Sequence, residues 1–178
     1  MRLKSVLICA AGFWLLAANQ MAIAAPPDHQ CALPPTLRDE ISKKYPGTKI
    51  VSMADLDEYD RKLFQKDHGT RCPGLLRVNF YGDGRPTWAL VLIAGVNPKR
   101  KADLVVARQV ADGWEIRSLD STDGTPVVWR EPPGKYDDVY GEKTIRAKNP
   151  VIVFAGLESW AIIYAWTGKE VVKVWISD

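Results

Sequence analysis

The stretch Thr87-Trp88-Ala89-Leu90-Val91-Leu92-Ile93-Ala94 carries no charge and no polar–apolar alternation. Successive side chains of a strand point to opposite faces, so a strand apolar at both parities needs cover on both sides. We therefore read residues 87 to 94 as a central strand, and the rest of the chain as what covers it. Just upstream, Leu76, Val78 and Phe80 alternate with Arg77, Asn79 and Tyr81, the pattern of a half-buried strand. Gly82-Asp83-Gly84 turns the chain between the two. Downstream, strands are expected near Ala102 to Gln109, Trp114 to Ser118, Val127 to Arg130, Val151 to Ala155, Ser159 to Trp166 and Lys169 to Ser177. Asn97-Pro98, Asp112-Gly113, Asp123-Gly124 and Thr167-Gly168 punctuate them. No fixed period links these strands, which disfavours a solenoid or propeller. Glu131 to Pro150 holds Pro132, Pro133, Gly134 and a polar run, and reads as one long loop.

Helical spacing is confined to residues before the strands. Leu37, Ile41 and Tyr45 recur every fourth position after Pro34-Pro35 and before Pro46-Gly47, which predicts a helix over 35 to 45. Lys49 to Met53 is extended. Asp55 and Glu58 have the spacing of a capping box ahead of a second apolar stripe, Leu56, Tyr59, Leu63 and Phe64, ending before His68-Gly69. The fold class that follows is α+β: two N-terminal helices packed on a mostly antiparallel, twisted sheet of about seven to eight strands.

Residues 1 to 25 read as a signal peptide. Arg2 and Lys4 form its basic end, Val6 to Ala18 its apolar middle, and Ala22, Ala24 and Ala25 its small-residue cleavage site. Asn19 and Gln20 interrupt the apolar run below the roughly 20 residues of a membrane span, so no stable membrane anchor is expected after cleavage. Cys9 follows Ile8 and lies too early for a lipoprotein signal. Residues 26 to 178 then form a single exported domain of about 150 residues, periplasmic or secreted. The signal takes two of the 24 basic residues and none of the 21 acidic ones, so the remainder is close to neutral. The densest basic cluster, Lys99, Arg100 and Lys101, falls in a turn, and nothing argues for a nucleic-acid partner. Cys31 and Cys72 remain, and in an oxidising compartment they are expected to pair, stabilising the fold by on the order of 4 kcal/mol.

No catalytic, metal or cofactor motif stands out. Asn79, Tyr81, Asp83 and Thr87 are spaced like the ligands of a calcium loop, but one carboxylate is too few, so a hairpin turn is the better reading. His29 sits near the start of the exported chain, which leaves His68 on the folded body without a mate at metal-ligand spacing. Its place beside Asp67 and Gly69, at a predicted helix end, suits capping or solvation. No G-x-S-x-G elbow is present. Carboxylate chemistry would have to use Glu158, Asp137 or Asp138, and the sequence pairs none of them.

The C-terminal hairpin is the richest feature. A two-residue Thr167-Gly168 turn would set Trp166 opposite Lys169, Tyr164 opposite Val171, Ile162 opposite Lys173 and Trp160 opposite Trp175. One face then gathers Trp160, Tyr164, Trp166 and Trp175 with Lys169 and Lys173. The other, with Ala161, Ile163 and Ala165 against Glu170, Val172, Val174 and Ile176, is smooth enough to pack under the helices. The aromatic face is either core or a binding platform. Lys135, Tyr136 and Tyr140 of the long loop are a second candidate surface.

The turn and strand texts Cys72-Pro73-Gly74, Gly82-Asp83-Gly84 and Trp88-Ala89-Leu90, with the ending Glu158-Ser159-Trp160 to Ser177-Asp178, resemble small exported bacterial proteins of no assigned activity. The resemblance implies an exported α+β domain. Small size, export and a missing catalytic set make a non-enzymatic binding domain the leading expectation. Its concrete version is an inhibitor or immunity-type protein of the envelope, whose partner is an envelope protein or a cell-wall glycan. A carboxylate-dependent envelope hydrolase is the rival, and a structural accessory without a pocket is the third reading.

Overall fold

The computed structural model describes residues 31–95 and 100–177. The signal segment, His29, Lys99 and the turn at Asn97-Pro98 lie outside them. Among the described residues two α-helices, α1 (Pro35–Lys44) and α2 (Glu58–His68), stand with eleven strands. The strands are β1 (Lys49–Ile50), β2 (Leu75–Val78), β3 (Thr87–Ala94), β4 (Lys101–Val110), β5 (Gly113–Asp123), β6 (Val127–Glu131), β7 (Gly134–Asp137), β8 (Thr144–Ala147), β9 (Val151–Gly156), β10 (Trp160–Trp166) and β11 (Val171–Ser177). The chain is thus mostly β, and the expected α+β class is overturned: there is not one sheet under two helices but three sheets. One has five strands, with β1 and β2 both on β3, followed by β4 and β5; the second runs β11-β10-β9-β6; the third is the pair β7-β8.

The two large sheets pack face to face. Ala89, Val91, Ile93, Leu104 and Val106 of the first meet Val128, Ile152, Phe154, Ile162 and Tyr164 of the second. The other parity of β3 and β4, Leu90, Leu92, Val105 and Ala107, faces away from this core, and α1 covers it with Leu37 and Ile41, helped by Leu33 just before the helix. Burying Leu37 and Ile41 stabilises the layer by about 1.5–3 kcal/mol each. Strand β3 is covered on both faces, as its composition requires.

Helix α2 packs against the intersheet core and not against the face that α1 covers. Asp57 caps it by accepting from the Asp60 amide at 2.8 Å, while Asp55 accepts from the Ser52 amide and hydroxyl one turn earlier. The expected cap at Asp55 therefore sits two residues too early. The helix sends Phe64 between the sheets from the side, and its His68 ring stands 4.9 Å from that of Trp129 on β6.

The segment expected as a long loop forms β7 and β8. Tyr136, Ile145 and Ala147 of this hairpin pack with Val151, Val153, Ala155, Ala161, Ile163 and Ala165. The smooth face of the C-terminal hairpin is therefore roofed by strands, not by helices. From outside to outside the layers are α1, first sheet, second sheet and the β7-β8 hairpin.

Cys31 and Cys72 are bonded, 41 residues apart in sequence, with Cα atoms 5.1 Å apart. Both sulfurs lie against the Val51 carbonyl, at 3.8 and 3.5 Å. The bridge ties the start of α1 to the point where β1 and β2 meet end to end along one edge of β3. Such a bond fits an oxidising compartment.

Candidate functional site

Two seams remain where the edges of the large sheets face each other, β2 against β6 and β5 against β11. Each seam holds a cleft.

The β5/β11 seam contains the aromatic face. The observed turn spans Thr167 to Glu170, so Trp166 pairs with Val171, Tyr164 with Lys173 and Ile162 with Trp175. The register is two residues off the expected one, which leaves each side chain on its expected face. That face turns inward. Tyr164 is 2 % exposed, while Trp160, Trp166 and Trp175 are half-buried at the margin of the intersheet core. Lys169 is exposed in the turn. The Lys173 ammonium donates to Asp120 at 2.5 Å and stands 5.1 Å above the Trp175 ring. The Tyr164 hydroxyl donates to the same carboxylate oxygen. Burial pushes the Asp120 carboxyl up, but the hydrogen bonds from Lys173 and Tyr164 outweigh it and hold the group below its ordinary value. Burial and that carboxylate raise the Tyr164 hydroxyl far above the usual phenol range. Beside this bridge Asp120, Ser121, Thr122, Trp160, Lys173 and Trp175 enclose about 350 Å³.

The β2/β6 seam is the larger, at about 570 Å³. Phe64, Leu76 and Val128 line its apolar part, Trp88 and Trp129 stand in its walls, and Arg71, Arg77 and Arg130 are exposed around it. Arg77 lies over the Trp88 ring at 5.7 Å. None of the three guanidinium groups forms a salt bridge among the described residues, whereas Glu131 accepts from the Trp129 indole at 3.0 Å. His68 is clamped between Phe64 and Trp129, with ring centroids 4.7 and 4.9 Å away. Burial between the rings lowers its pKa; Asp67 and Glu131 oppose that shift and Arg71 adds to it. The expectation that it caps the helix or is solvated is corrected: the cap is Gly69, and the ring is packed between two others. This cleft escaped sequence reading because its charges come one each from the loop after α2, from β2 and from β6. The spacing of Arg77 and Trp88 across the Gly82-Asp83-Gly84 turn was the available signal.

The remaining candidates lie apart from both clefts. Lys135 pairs with Asp137 at 2.8 Å, and the Thr144 hydroxyl donates to that aspartate at 2.6 Å. The Tyr136 hydroxyl donates to the Pro132 carbonyl, and Tyr140 is 55 % exposed at the hairpin tip. Asp138 is buried and accepts from the Tyr140 amide at 2.9 Å. Glu158, exposed, accepts from the Tyr59 hydroxyl. Asp137, Asp138 and Glu158 thus belong to separate hydrogen-bond networks. In the suspected calcium loop, Asn79 and Asp83 accept from the Gly84 and Arg85 amides, and the Thr87 side chain is buried.

The class these features define is a disulfide-fastened β-sandwich with an arginine and tryptophan cleft along one seam and an aspartate–lysine bridge across the other. No protein-family model, curated protein or solved structure matches the chain.

Proposed function

We propose that this chain is an exported, non-enzymatic binding protein, periplasmic or secreted, that holds an acidic segment of an envelope protein in the β2/β6 cleft. An inhibitor or immunity-type role is its concrete form. The observation that carries the reading is the set of three guanidinium groups, without carboxylate partners among the described residues, around two indoles and an apolar floor. Arginine forks match carboxylates in two-point geometry, and indole rings supply rigid contact area. The cleft's one imidazole is packed between two rings, a setting for shape more than for proton transfer.

Titration of the oxidised protein with an acidic peptide, followed by tryptophan fluorescence, tests the reading. Binding that weakens with salt is expected. Replacing Arg71, Arg77 and Arg130 together by Glu should cost about 2–5 kcal/mol of affinity. Equal affinity for an acidic and a basic peptide would refute it.

One observation favours a second reading, a cell-wall glycan at the other seam. Trp160 and Trp175 offer ring surface beside Asp120, Lys173, Ser121 and Thr122, the hydrogen-bonding groups that vicinal hydroxyls need. Indole N–H resonances of Trp160 and Trp175 that move with soluble glycan fragments would support it, and unmoved resonances would remove it.

A further inference from the structure

We infer that the segment held in the β2/β6 cleft binds as an added β-strand, hydrogen-bonded to the free edge of β2. This inference rests on the reading of the cleft given above and adds the conformation of its occupant.

The cleft is lined by Leu75, Leu76 and Arg77 together. Neighbours along a strand point to opposite faces, so a space touching all three lies along the strand's edge and not over one face. That edge is open. Strand β2 pairs with β3 and with no other strand among the described residues. The phase of its main chain is fixed at its start, where the Gly74 carbonyl accepts from the Val91 amide at 2.9 Å. Carried along the register Leu75 to Leu90 and Val78 to Thr87, this phase turns the Leu75 carbonyl and both main-chain groups of Arg77 away from β3. The Leu75 amide is taken by the Cys72 carbonyl at 3.4 Å, which agrees with that phase.

Strand β6 forms the facing wall, and it pairs only with β9 among the described residues. Its Val128 amide donates at 2.8 Å to the Pro73 carbonyl, closing one end of the seam. Two residues on, Arg130 has the same phase and faces the gap. The seam therefore starts joined and then opens between two edges, each bearing an outward arginine, Arg77 on one and Arg130 on the other. Unpaired edges are templates for another strand, and side-chain pockets then select its sequence. Here the selection is for acidic residues against Arg71, Arg77 and Arg130, alternating with apolar ones against Phe64, Leu76 and Val128. Charges on an edge also serve to repel strands, and the experiment separates the two roles.

The probe is an acetylated and amidated nonapeptide of alternating glutamate and valine, compared with its fully backbone-N-methylated form, both titrated into the oxidised protein. The parent peptide should bind and the methylated peptide should lose at least on the order of tenfold in affinity, since each lost main-chain bond counts. Amide exchange at Arg77 and Arg130 should slow in the complex. If both peptides bind equally and Arg77 exchange is unchanged, strand addition is wrong while the acidic-segment reading stands. If neither peptide binds, that reading falls as well, and the edge arginines only guard against aggregation.

Discussion

The Gly74 amide donates to the Val51 carbonyl at 3.0 Å, and through that bond two short strands become one edge. Val51 follows β1, Gly74 precedes β2, and Val91 of β3 bonds to both, donating to Gly74 at 2.9 Å and accepting from Val51 at 3.0 Å. The approach is so close that a Cβ on residue 74 would stand 2.6 Å from the Val51 oxygen and 2.7 Å from its nitrogen. Both obstacles are main chain and cannot swing aside. Gly74→Ala should therefore destabilise the fold by about 2–3 kcal/mol, read from the urea midpoint at unchanged slope. A midpoint within error of the parent would show that the junction yields easily.

The disulfide sits on the same junction, with both sulfurs against Val51. Replacing Cys31 and Cys72 together by Ser frees a 41-residue loop in the unfolded chain. The expected loss is about 4 kcal/mol, less whatever native strain is relieved. Reducing the parent protein should move its unfolding midpoint by the same amount, whereas a double variant as stable as the oxidised parent would deny the bridge its fastening role.

Strands with long, self-sufficient patterns were legible in the sequence. Thr87 to Ala94 announced its two covered faces, and the turn glycines separated β4, β5 and β6, although β5 runs on to Asp123, five residues past the expected end at Ser118. Layering was not legible, because periodicity says that a face is buried and never what buries it. Ala161, Ile163 and Ala165 were as suited to helices as to the β7-β8 roof, and Pro132-Pro133-Gly134 masked strands that are only four residues long. Phe64 and Leu56 form the same stripe whether α2 lies on a sheet or plugs its edge. The disulfide was predictable from two cysteines and an expected oxidising compartment. The arginine cleft was not, since Arg71, Arg77 and Arg130 meet only once β2 and β6 face each other. Nor was the Asp120–Lys173 bridge, where Lys173 looked like one rim of an exposed platform.

That bridge makes a pH prediction. The Asp120 carboxyl lies below its ordinary value of 3.8 in the folded protein, so the stability it contributes is complete above that value and is lost as pH falls through the lower folded value. Asp120→Asn should cost about 1 kcal/mol at neutral pH, discounted for partial exposure. It should also flatten part of the acid limb below pH 3.8, so that variant and parent converge there. Unfolding midpoints at pH 7 and through the acid range would show this, and parallel curves would mean that the carboxylate is not the linked group.

The opposite seam holds a histidine with a pH dependence of its own. Burial between Phe64 and Trp129 lowers the His68 pKa below 6.5, against Asp67 and Glu131 and together with Arg71. The unfolded chain therefore takes up a proton first as pH falls below 6.5, and stability declines from there down to the folded value. His68→Gln removes the linked proton while also weakening the ring stack, so its stability should be lower at pH 8 yet nearly level between pH 6.5 and about pH 5. His68→Phe keeps an aromatic ring between the same neighbours, and should lose the slope with a smaller drop at pH 8. The slope and the offset thus separate: a parent whose midpoint does not move across this range would exclude His68 as a buried neutral base. If the slope persists in both variants, His68 is not the linked group.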